Sequence, residues 1–191
     1  LAFVIADVSG EGVPAALFMV IAKSLLKTRA MLGETPAQIL ASVNDQLCEN
    51  NDAGMFVTVY VGLLELATGK LTVANAGHNP PLIRRRGGRY EWIRNKPGFV
   101  LAGLENRTYK NVEIQLCPGD RLFLYTDGVT EALDPSMALY GEARLEQALN
   151  DSDQPARGVM ELLPFVQAGL DRFTNGAEQA DDITMLALDW Y

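Results

Sequence analysis

Several kinds of residue and motif are scarce in this sequence. Its 191 residues include two cysteines, Cys48 and Cys117, and one histidine, His78. Two widely separated cysteines without ligand-like neighbours argue against a disulfide framework and read as reduced thiols. Without a Cys/His cluster, a zinc site of the ordinary kind has no ligands. Basic residues are outnumbered, 16 Lys and Arg against 24 Asp and Glu, for a formal net charge of −8. That argues against nonspecific binding to DNA or RNA, which needs a basic surface. No apolar run reaches the roughly 18 residues of a membrane span, and no signal-peptide pattern is present. A cytoplasmic protein is expected. There is no Walker A or dinucleotide fingerprint, so nucleotide handling has no support. The chain has no initiating Met and starts inside an apolar run, which reads as a piece of a longer protein.

What is present is enough for one core. Hydrophobic residues make up 48% of the chain, so disorder is not expected. Residues 1–6 read as a buried strand, followed by a turn at Gly10 and Gly12. Pro14 suits the first turn of a helix, and residues 15–32 continue it, apolar nearly all round in the first half and so expected to be well buried. Thr35 and Pro36 fit the N-cap and first position of a second helix to about Glu49. Residues 55–67 are β-branched, aromatic and apolar on both faces, as in a central strand covered on both sides. Hairpins are predicted around 68–70 and around Gly87 and Gly88. A tight turn at 118–120 is predicted to return residues 121–126 against a strand at 109–116. A short helix at 129–133, helices at 142–150 and 155–173, and a last strand at 183–188 complete the order. The three arginines at 84–86 read as a solvated strand edge. Short connections make the strands antiparallel, and a doubly covered antiparallel sheet points to stacked sheets with helices outside. No linker divides the chain, which reads as one domain over residues 1–191.

Three apolar runs adjoin acids: Asp7 after the first strand, Asp127 after "FLYT", and Asp181 with Asp182 before the last strand. A buried unpaired carboxylate is costly, so three of them suggest a shared positive partner. Hard divalent cations take carboxylate and carbonyl oxygens, and two such ions can clamp a phosphoryl group. Gly10 and Gly128 would allow close approach of backbone and substrate. An Asp-Gly pair at a strand end is also an ordinary turn, and spacing alone leaves both readings open.

Four segments occur in order: "DVSGEGVPAAL" at 7–17, "MFVTVYVGLLELATGKLTVANAGHNPPLI" at 55–83, "PGDRLFLYTDGVTEA" at 118–132 and "ADDITMLAL" at 180–188. Together they resemble the SpoIIE/RsbU branch of the PPM (type 2C) metal-dependent protein phosphatases. The resemblance implies an α+β fold, the αββα sandwich of two central antiparallel sheets flanked by helices. It implies hydrolysis of phosphoserine or phosphothreonine by a metal-activated water, with two Mn2+ or Mg2+ ions in the complete domain. By the same resemblance Asp7 bridges the ions, the carbonyl of Val8 is a backbone ligand, and Asp127 and Asp181 are further ligands, with Asp182 the second choice beside Asp181. The implied substrate is a phosphorylated regulatory protein, an anti-anti-sigma factor of the STAS type, and a sensor or receiver domain is expected upstream.

There are departures from the family pattern. The family's N-terminal hairpin, with its "GGDFYD"-like acids, lies before the point where this chain starts. The expectation is an incomplete site with weak metal binding, and an open sheet edge that favours self-association. Glu11 stands where this branch often has Lys. His78, in "AGHNPP", is read as shaping its loop, with direct proton transfer the lesser alternative. The rival function is a binding module on the same fold that recognises a partner without hydrolysing phosphate.

Overall fold

The structure is a computed structural model that describes residues 1–49, 51–151 and 158–191. It contains two four-stranded antiparallel sheets with helices packed on them, the expected fold class. The residues group into two compact units, Leu1–His78 with Lys96–Leu116, and Asn79–Asn95 with Cys117–Tyr191.

The first unit holds strands β1 (Ala2–Val8), β2 (Val57–Leu64), β3 (Lys70–Ala76) and β6 (Val112–Gln115), side by side in that order. Helices α1 (Gly12–Met31) and α2 (Pro36–Cys48) cover one face. On that face Ala6, Val8, Val57, Val59, Val61, Ala74 and Ala76 meet Phe18, Ala22 and Leu26 of α1 and Ile39, Leu40, Val43 and Leu47 of α2. The alternation of a β-strand sends the intervening residues, Phe3, Ile5 and Asp7 on β1 and Thr58, Tyr60 and Gly62 on β2, to the opposite face. There Phe3 stands opposite Gly62, and its ring occupies the space that a Cβ on that glycine would need. Helix α2 starts as predicted: Pro36 is its first residue, and the Thr35 backbone N–H donates to Gln38 Oε1 at 2.9 Å.

The second unit holds β4 (Leu82–Arg84), β5 (Tyr90–Trp92), β7 (Arg121–Tyr125) and β8 (Met185–Asp189), in the order β5-β4-β7-β8. Its core joins Leu82, Tyr90, Phe123 and Tyr125 of the sheet to Leu145 and Leu149 of α3 (Gly141–Leu149) and Leu162, Val166 and Leu170 of α4 (Val159–Thr174). All five residues of β7 are buried, including Arg121, which forms an ion pair with Asp189 on the neighbouring strand. Helix α4 runs through Pro164 without dividing. Residues 155–157, the predicted start of that helix, lie outside the described residues.

Three local expectations are corrected. The turn at 118–120 does not close a hairpin: β6 pairs with β3 in one sheet and β7 with β4 and β8 in the other. Instead, buried Asp120 accepts hydrogen bonds from the backbone N–H groups of Cys117 and Arg86 and from Arg85 Nη1, tying the turn to the β4–β5 connection. The helix predicted at 129–133 is replaced by a single 3-10 turn over Asp127–Val129, followed by irregular chain. The first half of α1 is not buried all round. Ala15, Phe18, Ala22 and Leu26 form the one buried stripe, and Val13, Leu17, Val20 and Ile21 are exposed. A helix lying on one sheet buries one stripe, and apolar composition does not change that geometry. Among the described residues no helix is long and apolar enough to cross a membrane.

Candidate active site

Asp127 follows β7 after a single intervening residue, Thr126, and opens the 3-10 turn. The apolar strand carries the chain through the core, and the turn then stops it with the Asp127 carboxylate only partly exposed. The Oδ1 atom of Asp127 is buried and has no hydrogen-bond partner among the described residues. Such an oxygen is destabilising unless something positive meets it. A carboxylate oxygen of Asp181, which is exposed, lies within 4.8 Å of one of Asp127. Two carboxylates this close repel one another, and a dication between them would relieve both the repulsion and the orphaned oxygen. The residues therefore fit a hard divalent cation by their all-oxygen donor chemistry and by the buried acceptor left over.

Residues that the sequence reading did not single out hold this pair together. Thr126 Oγ1 donates to the backbone carbonyl of Asp182 at 3.0 Å and accepts from the Thr184 N–H at 3.0 Å, while the Thr126 N–H donates to the Thr184 carbonyl. The 181–184 segment is thus stapled to the end of β7 just before β8 begins. Within it, Asp181 Oδ1 accepts from the Asp182 N–H at 2.7 Å, and Gln179 Nε2 donates to the Asp181 carbonyl at 2.8 Å. Of the two adjacent acids, Asp181 brings its carboxylate toward Asp127, and Asp182 lends its carbonyl to the staple. Thr126 is legible in the sequence only as part of "TDG", because its partners lie more than fifty residues away.

In the first unit Asp7 falls inside β1 rather than after it, directly opposite Thr58 on β2. It is partly exposed, on the face away from α1 and α2. Val8 ends the strand, and its side chain packs into the helix-covered core. His78 is 3% exposed. Its Nδ1 lies 2.9 Å from Thr58 Oγ1, and Asn75 brackets its backbone, accepting from the His78 N–H at 2.8 Å and donating to its carbonyl at 2.9 Å. Cys48 and Cys117 are both free thiols, and burial together with Glu105 and Asp45 pushes the Cys48 thiol up from its usual pKa.

With the two sheets and the carboxylates at their strand ends described, comparison with known proteins identifies the family. The family model described as Stage II sporulation protein E (SpoIIE) matches residues 1–191, and the chain belongs to that family. It is 31% identical over 215 aligned positions to Protein IcfG of Synechocystis sp., covering 98% of this chain and 33% of that protein. It is 34% identical over 127 positions to the phosphoserine phosphatase RsbU of Bacillus subtilis, covering 66% of this chain and 38% of RsbU. The chain thus spans about a third of the length of these curated relatives. Among solved structures, the SiaA-PP2C domain of Pseudomonas aeruginosa superposes with a TM-score of 0.86 at 21% identity, over 100% of this chain and 76% of that one. That likeness shows the PP2C fold.

Proposed function

We propose that the protein is a metal-dependent protein serine/threonine phosphatase of a bacterial signalling system. Its substrate would be phosphoserine or phosphothreonine on a regulatory protein, an anti-anti-sigma factor of the STAS type, in the cytoplasm. Membership of the SpoIIE family supports the reaction class. The observation that carries the site is the buried Asp127 Oδ1 without a hydrogen-bond partner, set near the Asp181 carboxylate.

In this reading Asp7, the carbonyl of Val8, Asp127 and Asp181 are the ligands of Mn2+ or Mg2+, with two ions in the complete domain. When bound, the ions supply charge neutralisation for the phosphoryl group and lower the pKa of the attacking water. The chain's own contribution is placement. Thr126 and the 3-10 turn hold Asp127 still, the Gln179 contact holds the loop of Asp181, and the β1–β2 pairing holds Asp7. Fixed carboxylates need no reorganisation as charge shifts during transfer, which is how preorganised sites lower barriers. The acids of the site would repel a phosphate group unless dications offset them.

The test is hydrolysis of a phosphoserine peptide by the protein with manganese and after chelation. Phosphate release that needs manganese and is lost in Asp127→Asn supports the assignment. Hydrolysis indifferent to chelator and to that substitution refutes it, and metal binding without any hydrolysis leaves the binding-module reading.

A further inference from the structure

We propose that His78 and Thr58 are positioning residues for Asp7, forming a side-chain strut from β3 across β2 to the metal-facing acid on β1. The proposal rests on the reading of Asp7 as a metal ligand.

The geometry begins at the end of β3. Gly77 adopts φ +73°, and a Cβ there would stand 2.6 Å from Val100 Cγ1, so the chain turns where a side chain would not fit. The turn sends His78 back over β2. Asn75, two residues before the turn, grips the His78 backbone at both its N–H and its carbonyl. Asn75 is itself held in place, since its carbonyl accepts from the Gly98 N–H at 2.8 Å. The imidazole therefore has a fixed origin and almost no exposure, and its Nδ1 meets Thr58 Oγ1 at 2.9 Å.

Thr58 and Asp7 are direct cross-strand partners, and such partners project to one face with Cβ atoms about 4.5–5.5 Å apart. Thr58 Oγ1 also stands 3.5 Å from the Asp7 backbone carbonyl. A threonine hydroxyl is free to rotate unless a partner fixes it. Here the imidazole sets the Thr58 rotamer, and the cross-strand pairing puts that side chain beside Asp7 on the same face of the sheet. The AGHNPP segment thereby gains a role that loop shaping does not include. Gly77 makes the turn, Asn75 clamps it, and His78 braces the strand pair at the level of Asp7. Partners that orient a ligand in this way typically contribute 10–100-fold to metal affinity.

The test uses substitutions that keep shape and change the hydrogen bond. Thr58→Val preserves volume and branching but removes the hydroxyl, so the fold should survive. His78→Asn keeps a polar atom near the position of Nδ1, whereas His78→Gln moves it outward. Manganese affinity is read by calorimetry, together with kcat and KM on a phosphoserine peptide. The expected result is a manganese Kd raised about 10-fold or more by Thr58→Val and by His78→Gln. His78→Asn should stay within about 3-fold of wild type, and Thr58→Val/His78→Gln should be no weaker than the weaker single variant, as coupled partners require. The loss should appear in kcat and leave the peptide KM unchanged. Thr58→Val with wild-type manganese affinity overturns the proposal alone. A wild-type protein that binds no manganese overturns the ligand reading of Asp7, and the proposal with it. A loss of stability in all variants with metal affinity intact assigns His78 to loop shape only.

Discussion

Gly128 lies against the backbone carbonyl of Asp182, with no room between them for a Cβ. The two residues are 54 positions apart in sequence, and their contact lets the segment bearing Asp181 come up to the turn bearing Asp127. The glycine of "TDG" is therefore required by approach and not by φ, since Gly128 is not among the residues with positive φ.

Gly128→Ala should push the 181–184 segment away from the end of β7. The expected cost is about 1–3 kcal/mol in stability, the usual range for forcing an extra carbon into a packed site. Manganese affinity should fall by about tenfold or more, since the Asp181 carboxylate, a proposed ligand, moves with the segment. Denaturant unfolding and calorimetric titration of the one variant measure both effects, and wild-type values for both would contradict the assignment of the staple.

Asp127→Asn should reduce phosphatase activity by about a hundredfold or more, the scale seen when one charge-stabilising group is removed. Asp7→Asn should be worse on the proposed reading, in which Asp7 would serve both ions. Without metal, Asp127→Asn should unfold at the same or higher denaturant concentration than wild type, because it removes a charge whose buried oxygen has no partner. Activity within tenfold of wild type at saturating manganese would remove Asp127 from the site.

Manganese should raise the thermal midpoint of the protein, and chelator should lower it again, as for any ligand that binds only the folded state. The shift should be absent in Asp127→Asn and reduced in Thr58→Val. An equal shift in wild type and Asp127→Asn would place the bound metal elsewhere.

Stability should fall in acid, with Asp120 and Asp189 among the causes. Burial raises the pKa of Asp120, but it is outweighed by hydrogen bonds from the Cys117 N–H, the Arg85 guanidinium and the Arg86 N–H, so the carboxyl is held below its usual value. Asp189 is likewise raised by burial and brought below its usual value by Arg121 and Tyr191. Groups depressed in this way stabilise the fold above their unfolded pKa, near 3.9, and lose that contribution as pH falls through the lower folded value. Asp120→Ala should cost about 1–2 kcal/mol near neutral pH, because it removes hydrogen bonds whose donors lie on the exposed residues Arg85, Arg86 and Cys117 and can turn to water. Its unfolding midpoint should also depend less steeply on pH below about 4. A pH profile parallel to wild type would show that Asp120 contributes nothing to the acid limb.

Much of the fold was legible because it rests on short-range rules. The β-branched run read at 55–67, of which 57–64 form β2, the Thr35-Pro36 helix start and the helical spacing of Ile39, Leu40, Val43 and Leu47 each act within a few residues. The candidate site was legible as residue types, three acids beside apolar runs, and the four family motifs named them in order. The contacts around those acids were legible only at Gly128, expected to allow a close approach. Thr126, Asn75 and Thr58 act through partners whose distance along the chain reveals nothing until the strands are in register.

By itself the sequence determined the antiparallel class, most of the order of elements and the family, and it nominated the candidate ligands, since each of these rests on local propensity or motif. Tertiary structure alone decided that β6 and β7, joined by one tight turn, enter different sheets, and that α1 leaves half of its apolar residues exposed. It alone put Asp181 rather than Asp182 beside Asp127, and His78 on the hydroxyl opposite Asp7. The physical reason is register. A side chain's local preferences are set by its neighbours in sequence, but its hydrogen-bond partner is set by which strands pair and where, and that is settled only when the whole core closes.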